Sequence, residues 1–65
     1  MKKLKIEELK EGEFYKCRLS NRVVLVTQLT SKEYGQRAYC VAYSEITGQY
    51  FHFEATDYQL QELEE

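Results

Sequence analysis

Wherever this chain runs on without a turn residue, its side chains alternate. That period of two belongs to half-buried strands, not to helices. In residues 13–19, Tyr15, Cys17 and Leu19 point one way while Lys16 and Arg18 point the other. Residues 49–55 put Phe51, Phe53 and Ala55 inward and Tyr50, His52 and Glu54 outward. Residues 37–44 set Tyr39, Val41 and Tyr43 against Ala38, Cys40 and Ala42. Both faces of that last run are apolar, so alternation alone leaves open which one is buried. Residues 22–29 carry Val23, Val24, Val26 and Thr27, whose branched side chains suit a pleated surface. Proline is absent, so nothing interrupts a strand ladder.

Turn signals separate these runs. Gly12 follows Leu9-Lys10-Glu11, Ser20-Asn21 parts two apolar stretches, and the stretch 30–36 holds Ser31, Lys32 and Gly35. Glu45-Ile46-Thr47-Gly48 ends in glycine, as a type I turn closed by a left-handed residue does. Thr56-Asp57 closes the last long strand. Helices are tested and set aside. Leu4, Ile6 and Leu9 make one turn before Gly12, and Leu60 and Leu63 make another at the far end. Neither segment reaches the roughly 12 residues an independent helix needs, so a short strand or 3-10 turn is predicted for both.

The 65 residues hold a single domain over 1–65, with 1–8 read as a tail or a strand extension. A core this small supplies no more than about 3–5 kcal/mol, so the chain needs a staple, a partner or close packing. Two cysteines allow one disulfide at most, and Cys17, Cys40 and the lone His52 cannot build a metal cluster. Aromatic residues, at 14%, favour packing and self-association instead. Four strands and a short fifth, without proline to protect their edges, predict closure into a small barrel.

Leu9-Lys10-Glu11-Gly12-Glu13, followed by alternating Tyr15, Cys17 and Leu19, resembles the opening of SH3-like small barrels. The apolar strand from Val23 to Val26, the hairpin at Gly48 and the ending Thr56-Asp57-Tyr58-Gln59-Leu60 continue the likeness over about residues 9–63. The chain is similar to small bacterial SH3-like proteins of the YodC-like kind. That resemblance implies an all-β barrel of about five strands with a short 3-10 turn before the last strand. Ser20-Asn21 stands where the glycine pair of the first hairpin is usual in that family.

Function is bounded by what the residues lack. Three scattered glycines, Gly12, Gly35 and Gly48, make no phosphate cradle. The carboxylate pairs Glu7-Glu8 and Glu64-Glu65 read as solvated ends. A Cys–His nucleophile requires the two side chains to meet. His52 points outward and Cys17 inward, and Cys40 faces outward only if its strand is read the other way, so no catalytic residue and no cofactor is assigned. No stretch suits a secretory signal or a membrane span, and the expected compartment is the cytoplasm, with both thiols reduced.

Residues 1–37 carry nine basic and five acidic side chains, and residues 38–65 carry six acidic and no basic ones, so +4 faces −6. The acidic balance opposes phosphate, which leaves a nucleic-acid-binding barrel as the alternative. The leading expectation is a non-enzymatic module that binds a protein partner or itself. Its candidate surface is Phe14, Lys16, Arg18, Arg22, Tyr34, Arg37, Tyr50 and Tyr58, where aromatic and basic side chains share strand ends and loops.

Overall fold

The computed structural model describes residues 3–63; Met1, Lys2 and the Glu64-Glu65 pair lie outside them. The strands are β1 (Lys3–Leu4), β2 (Phe14–Cys17), β3 (Val23–Leu29), β4 (Ala38–Ser44), β5 (Gln49–Ala55) and β6 (Leu60–Gln61). They form one six-stranded antiparallel sheet in the order β1-β6-β2-β3-β4-β5. Strands β2 to β5 follow one another as hairpins, and β6 returns to pair with the free side of β2. The alternating runs of the sequence are therefore the strands, and the fold is all-β.

Closure does not follow. A closed barrel would need β5 to pair with β1, and among the described residues β1 offers only two. The sheet remains open, with six strands in place of five. The expected 3-10 turn before the last strand is a tight turn instead: the Gln59 N–H donates to the Thr56 carbonyl at 3.2 Å, and Tyr58 sits at φ 65°. The 3-10 turns lie elsewhere, at Ile6–Glu8 and Lys32–Tyr34. The first of these is pinned to the β5–β6 turn. The Ile6 N–H donates to Asp57 Oδ1 at 2.9 Å, and the Tyr58 N–H donates to the Leu4 carbonyl at 2.9 Å.

Two hairpin loops share one solution. In each, a helical turn closes on the last residue of the incoming strand, and the loop's final residue turns left-handed. The Gly48 N–H donates to the Ser44 carbonyl at 2.8 Å with φ 71°. The Asn21 N–H donates to the Cys17 carbonyl at 2.8 Å with φ 59°. Asn21 does here what glycine does in the other loop, because a short amide side chain tolerates this region better than other non-glycine residues. The loop also ends β2 at Cys17, so Leu19, expected inward, is thrown into solvent and is 84% exposed.

A bulge sets the depth of the core. Val26 pairs with Cys40 and Gln28 with Tyr39, leaving Thr27 as the additional residue of β3. Its hydroxyl donates to the Tyr39 carbonyl at 3.1 Å. The slip turns Gln28 outward and brings Leu29 against the core, where strict alternation from Val24 and Val26 would do the reverse. Opposite this bend, the Gly12 N–H donates to the Val26 carbonyl at 2.8 Å, and the Leu29 N–H donates to Glu11 Oε2 at 2.7 Å.

The core face carries Leu4, Tyr15, Cys17, Val24, Val26, Leu60 and Ala55, with Leu9 from the N-terminal segment. On β4 the face left open by the sequence is settled: Ala38, Cys40 and Ala42 are buried, and Tyr39 and Tyr43 are outside. Phe53 packs against the core from its edge, while Phe51, directed inward as expected, stays 40% exposed because no strand covers it. Leu60→Ala is expected to cost about 2–5 kcal/mol, since it empties the centre of the core. Phe51→Ala is expected to cost well under half of that. Urea denaturation followed by circular dichroism measures both. At the first hairpin, Asn21→Gly is expected to be near neutral and Asn21→Val to cost about 1–2 kcal/mol.

Candidate interaction surface

The sheet has a second face, and it is also largely apolar. Across the register, Phe14 lies beside Leu25, Leu25 beside Val41, and Val41 beside His52. One step along, Lys3, Gln61, Lys16 and Val23 form a parallel row. Tyr43 faces Tyr50 on the neighbouring strands, their rings edge to face at 5.1 Å. Phe14 is 56% exposed, Val23 53% and Tyr50 71%, so these side chains are not covered by the chain's own elements. Lys3 and Lys16 border the patch on one side, and His52 and Glu54 on the other. Apolar centre and polar rim together are the anatomy of a docking surface.

Seven of the eight residues expected as a surface divide among three places. Phe14, Lys16 and Tyr50 share this outer face. Arg18 and Tyr58 meet beside the open end of the sheet, where Arg18 Nη1 donates to the Tyr58 carbonyl at 2.8 Å. Tyr34 and Arg37 flank the loop after β3 and line a shallow cleft with Thr30 and Tyr39. Arg22 stands apart from all three: its Nη1 donates to the Tyr43 carbonyl at 3.2 Å, and its guanidinium lies 5.8 Å from the centre of the Phe51 ring. Arg37 faces Glu54 at 3.8 Å across exposed positions, a pair worth little to stability. The basic residues thus do not converge on one strip.

Val23, Leu25, Tyr39, Val41 and Tyr43 belong to the surface and were not singled out from the sequence. A signal for the β4 members existed in 37–44. One face of that run holds only Ala and Cys, and the other Tyr and Val. Small side chains fit the inside of a tightly coiled sheet, which leaves the large ones outside.

The core face opens on a cleft of about 270 Å³ between the first hairpin loop and the inner side of β5. Cys17, Leu19, Val24, Phe51, Phe53 and Gln59 line it. Both cysteines are free and buried. Burial works against the Cys17 thiolate, but hydrogen bonds from the Ser20 hydroxyl and N–H, the Leu19 N–H and the Gln59 side chain outweigh it and hold the thiol below its ordinary value. Burial, with Cys17 nearby, pushes Cys40 up to about 11. His52, on the outer face, does not share the cleft with Cys17. Among the described residues no cluster of three His, Cys, Asp or Glu side chains is placed to hold a metal. Among the same residues no helix is long and apolar enough to cross a membrane.

Comparison with protein-family models, with curated proteins and with solved structures finds no match to this chain.

The two thiols are expected to behave oppositely. In the folded protein iodoacetamide alkylates Cys17 first, and Cys40 reacts only on unfolding; mass spectrometry of digests locates the label. Because the folded state holds the Cys40 proton more tightly than the unfolded chain, the stability it represents is whole below the ordinary value of 9.0 and is lost as pH rises toward about 11. The alkaline loss of stability, measured by urea denaturation, is expected to be smaller in Cys40→Ala than in the parent protein. The Cys17 contribution has the reverse sign: it is whole above the ordinary value and is lost as pH falls through the lowered one.

Proposed function

We propose that this chain is a non-enzymatic interaction module on an SH3-like scaffold, and that it docks a protein partner through the outer face of β2 to β5. One observation carries the reading: Phe14, Val23, Tyr43 and Tyr50, with the half-buried Leu25 between them, form an apolar face that no element covers among the described residues. A domain of this size gains little by leaving such side chains in water unless something else covers them. Tyrosines add contact area at low entropic cost, and Tyr43 and Tyr50 hold each other in place before a partner arrives. The scaffold assignment rests on the hairpin succession β2 to β5, with β6 returned beside β2, together with the resemblance of residues 9–63. Two buried free thiols support a reducing compartment, the cytoplasm. The nucleic-acid alternative has less support, because Arg18 and Arg22 are engaged by the chain's own carbonyls and Arg37 by Glu54.

A double variant, Val23→Lys with Tyr43→Lys, tests the face without touching the core. It is expected to keep the circular dichroism spectrum and to lose at least about thirtyfold in affinity for a partner that co-purifies with the unaltered protein, the scale of a lost aromatic anchor. Equal affinity in both proteins would overturn the reading. Mixed-sequence DNA and RNA oligonucleotides are expected to give flat anisotropy titrations at physiological salt. Binding that weakens with salt and disappears in Arg18→Glu would put the nucleic-acid reading in its place.

A further inference from the structure

The two edges of the sheet are unlike. At one end β1 exposes two residues. At the other, β5 exposes seven, and alternate residues along it direct their N–H and C=O groups away from β4. Among the described residues, no backbone hydrogen bond reaches β5 from any element but β4. The usual protections of an edge strand are missing from Gln49–Ala55. It contains no lysine, no proline and no bulge, and its single charge, Glu54, already faces Arg37 at 3.8 Å. Phe51 and Phe53 stand on the core side of this edge with their rings 6.1 Å apart, Phe51 40% exposed.

We propose that β5 pairs antiparallel with the β5 of a second copy, about a two-fold axis at His52, joining two sheets edge to edge. The register is self-complementary. Gln49 meets Ala55 of the second copy, Tyr50 meets Glu54, Phe51 meets Phe53, and His52 meets itself. On the core side, two phenylalanines from each copy close into one cluster where each copy alone leaves a gap. On the outer side, the Tyr50 hydroxyl can donate to the Glu54 carboxylate of the second copy. No formal like charges are set opposite each other. The pairing uses up both long edges, and the β1 edges hold two residues each among those described, so assembly stops at two copies. A foreign strand would gain the same backbone bonds but not this matching of Phe51 to Phe53 twice over. One strand edge buries less than the roughly 800 Å² per partner of a standard interface, so the dimer forms at micromolar or higher concentration. The contact is centred on the edge of the sheet and shares only Tyr50 with the docking face proposed above; it rests on a separate observation, the unpaired side of β5.

The test places like and then opposite charges on the axis. Sedimentation of the unaltered protein, from about 10 µM to about 1 mM, is expected to pass from monomer to dimer and no further. His52→Glu and His52→Lys, at an exposed outer position, are each expected to stay folded and monomeric over this range. Mixed one to one, they are expected to recover the dimer. Hydrogen exchange is expected to slow with concentration at alternate amides of β5. A monomer at the top concentration would overturn the proposal and leave the edge for a foreign strand. Undiminished dimers in both His52 variants would overturn it too, and loss of those dimers in Val23→Lys with Tyr43→Lys would move the contact to the outer face.

Discussion

The rest of the molecule depends on a core one side chain deep. Leu60, Val24, Val26 and Cys40 are its largest fully buried side chains, and all four project from the same face of one curled sheet. Among the described residues no second sheet packs against that face, and besides Ile6 and Leu9 of the N-terminal segment the sheet must cover it by its own bend. The bend is what the backbone irregularities supply. Thr27 adds a residue to β3 at the point of curvature, and the N-terminal segment crosses there through Gly12 and Glu11. Strand β4, next to the edge strand β5, presents only Ala38, Cys40 and Ala42 inward.

That solution has a consequence for the surface. If the inner face of β4 takes the small residues, its large ones face water, and the neighbours in register on β3 and β5 add to them. An apolar outer face is thus the counterpart of a shallow core. The same economy leaves β5 with one side unpaired, because among the described residues the strand that would close the barrel holds only two. The exposed face and the exposed edge arise from one shortage of covering structure, yet they are separate surfaces with separate chemistry: aromatic side chains on one, backbone donors and acceptors on the other.

Charge has a smaller part than the sequence suggests. Its basic and acidic halves interleave once β6 enters between β1 and β2 and Arg37 meets Glu54. Arg18 and Arg22 spend their guanidinium groups on carbonyls of the second half, at Tyr58 and Tyr43. These contacts bind the two halves of the chain to each other. They leave Lys3 and Lys16 at the rim of the outer face, where they bias which partners approach rather than how tightly they bind.

The sequence by itself determined the strands. Alternation in 13–19, 37–44 and 49–55, with Gly12, Gly35 and Gly48 at the turns, is a local property that backbone geometry enforces before any tertiary contact forms. Tyr15 and Cys17 were legible as core for the same reason, and His52 as exposed. What the tertiary structure alone decided is how those strands end and where they sit. Asn21 in the left-handed region ends β2 early and exposes Leu19, the bulge at Thr27 exchanges Gln28 for Leu29, and the core takes the alanine side of β4. Phe14, Lys16 and Tyr50 come together from separate strands because register places them so, while Arg18, Tyr34, Arg37 and Tyr58 fall elsewhere. Alternation tells which residues share a face of one strand; only the pairing of strands tells which faces join, and whether the last edge is covered.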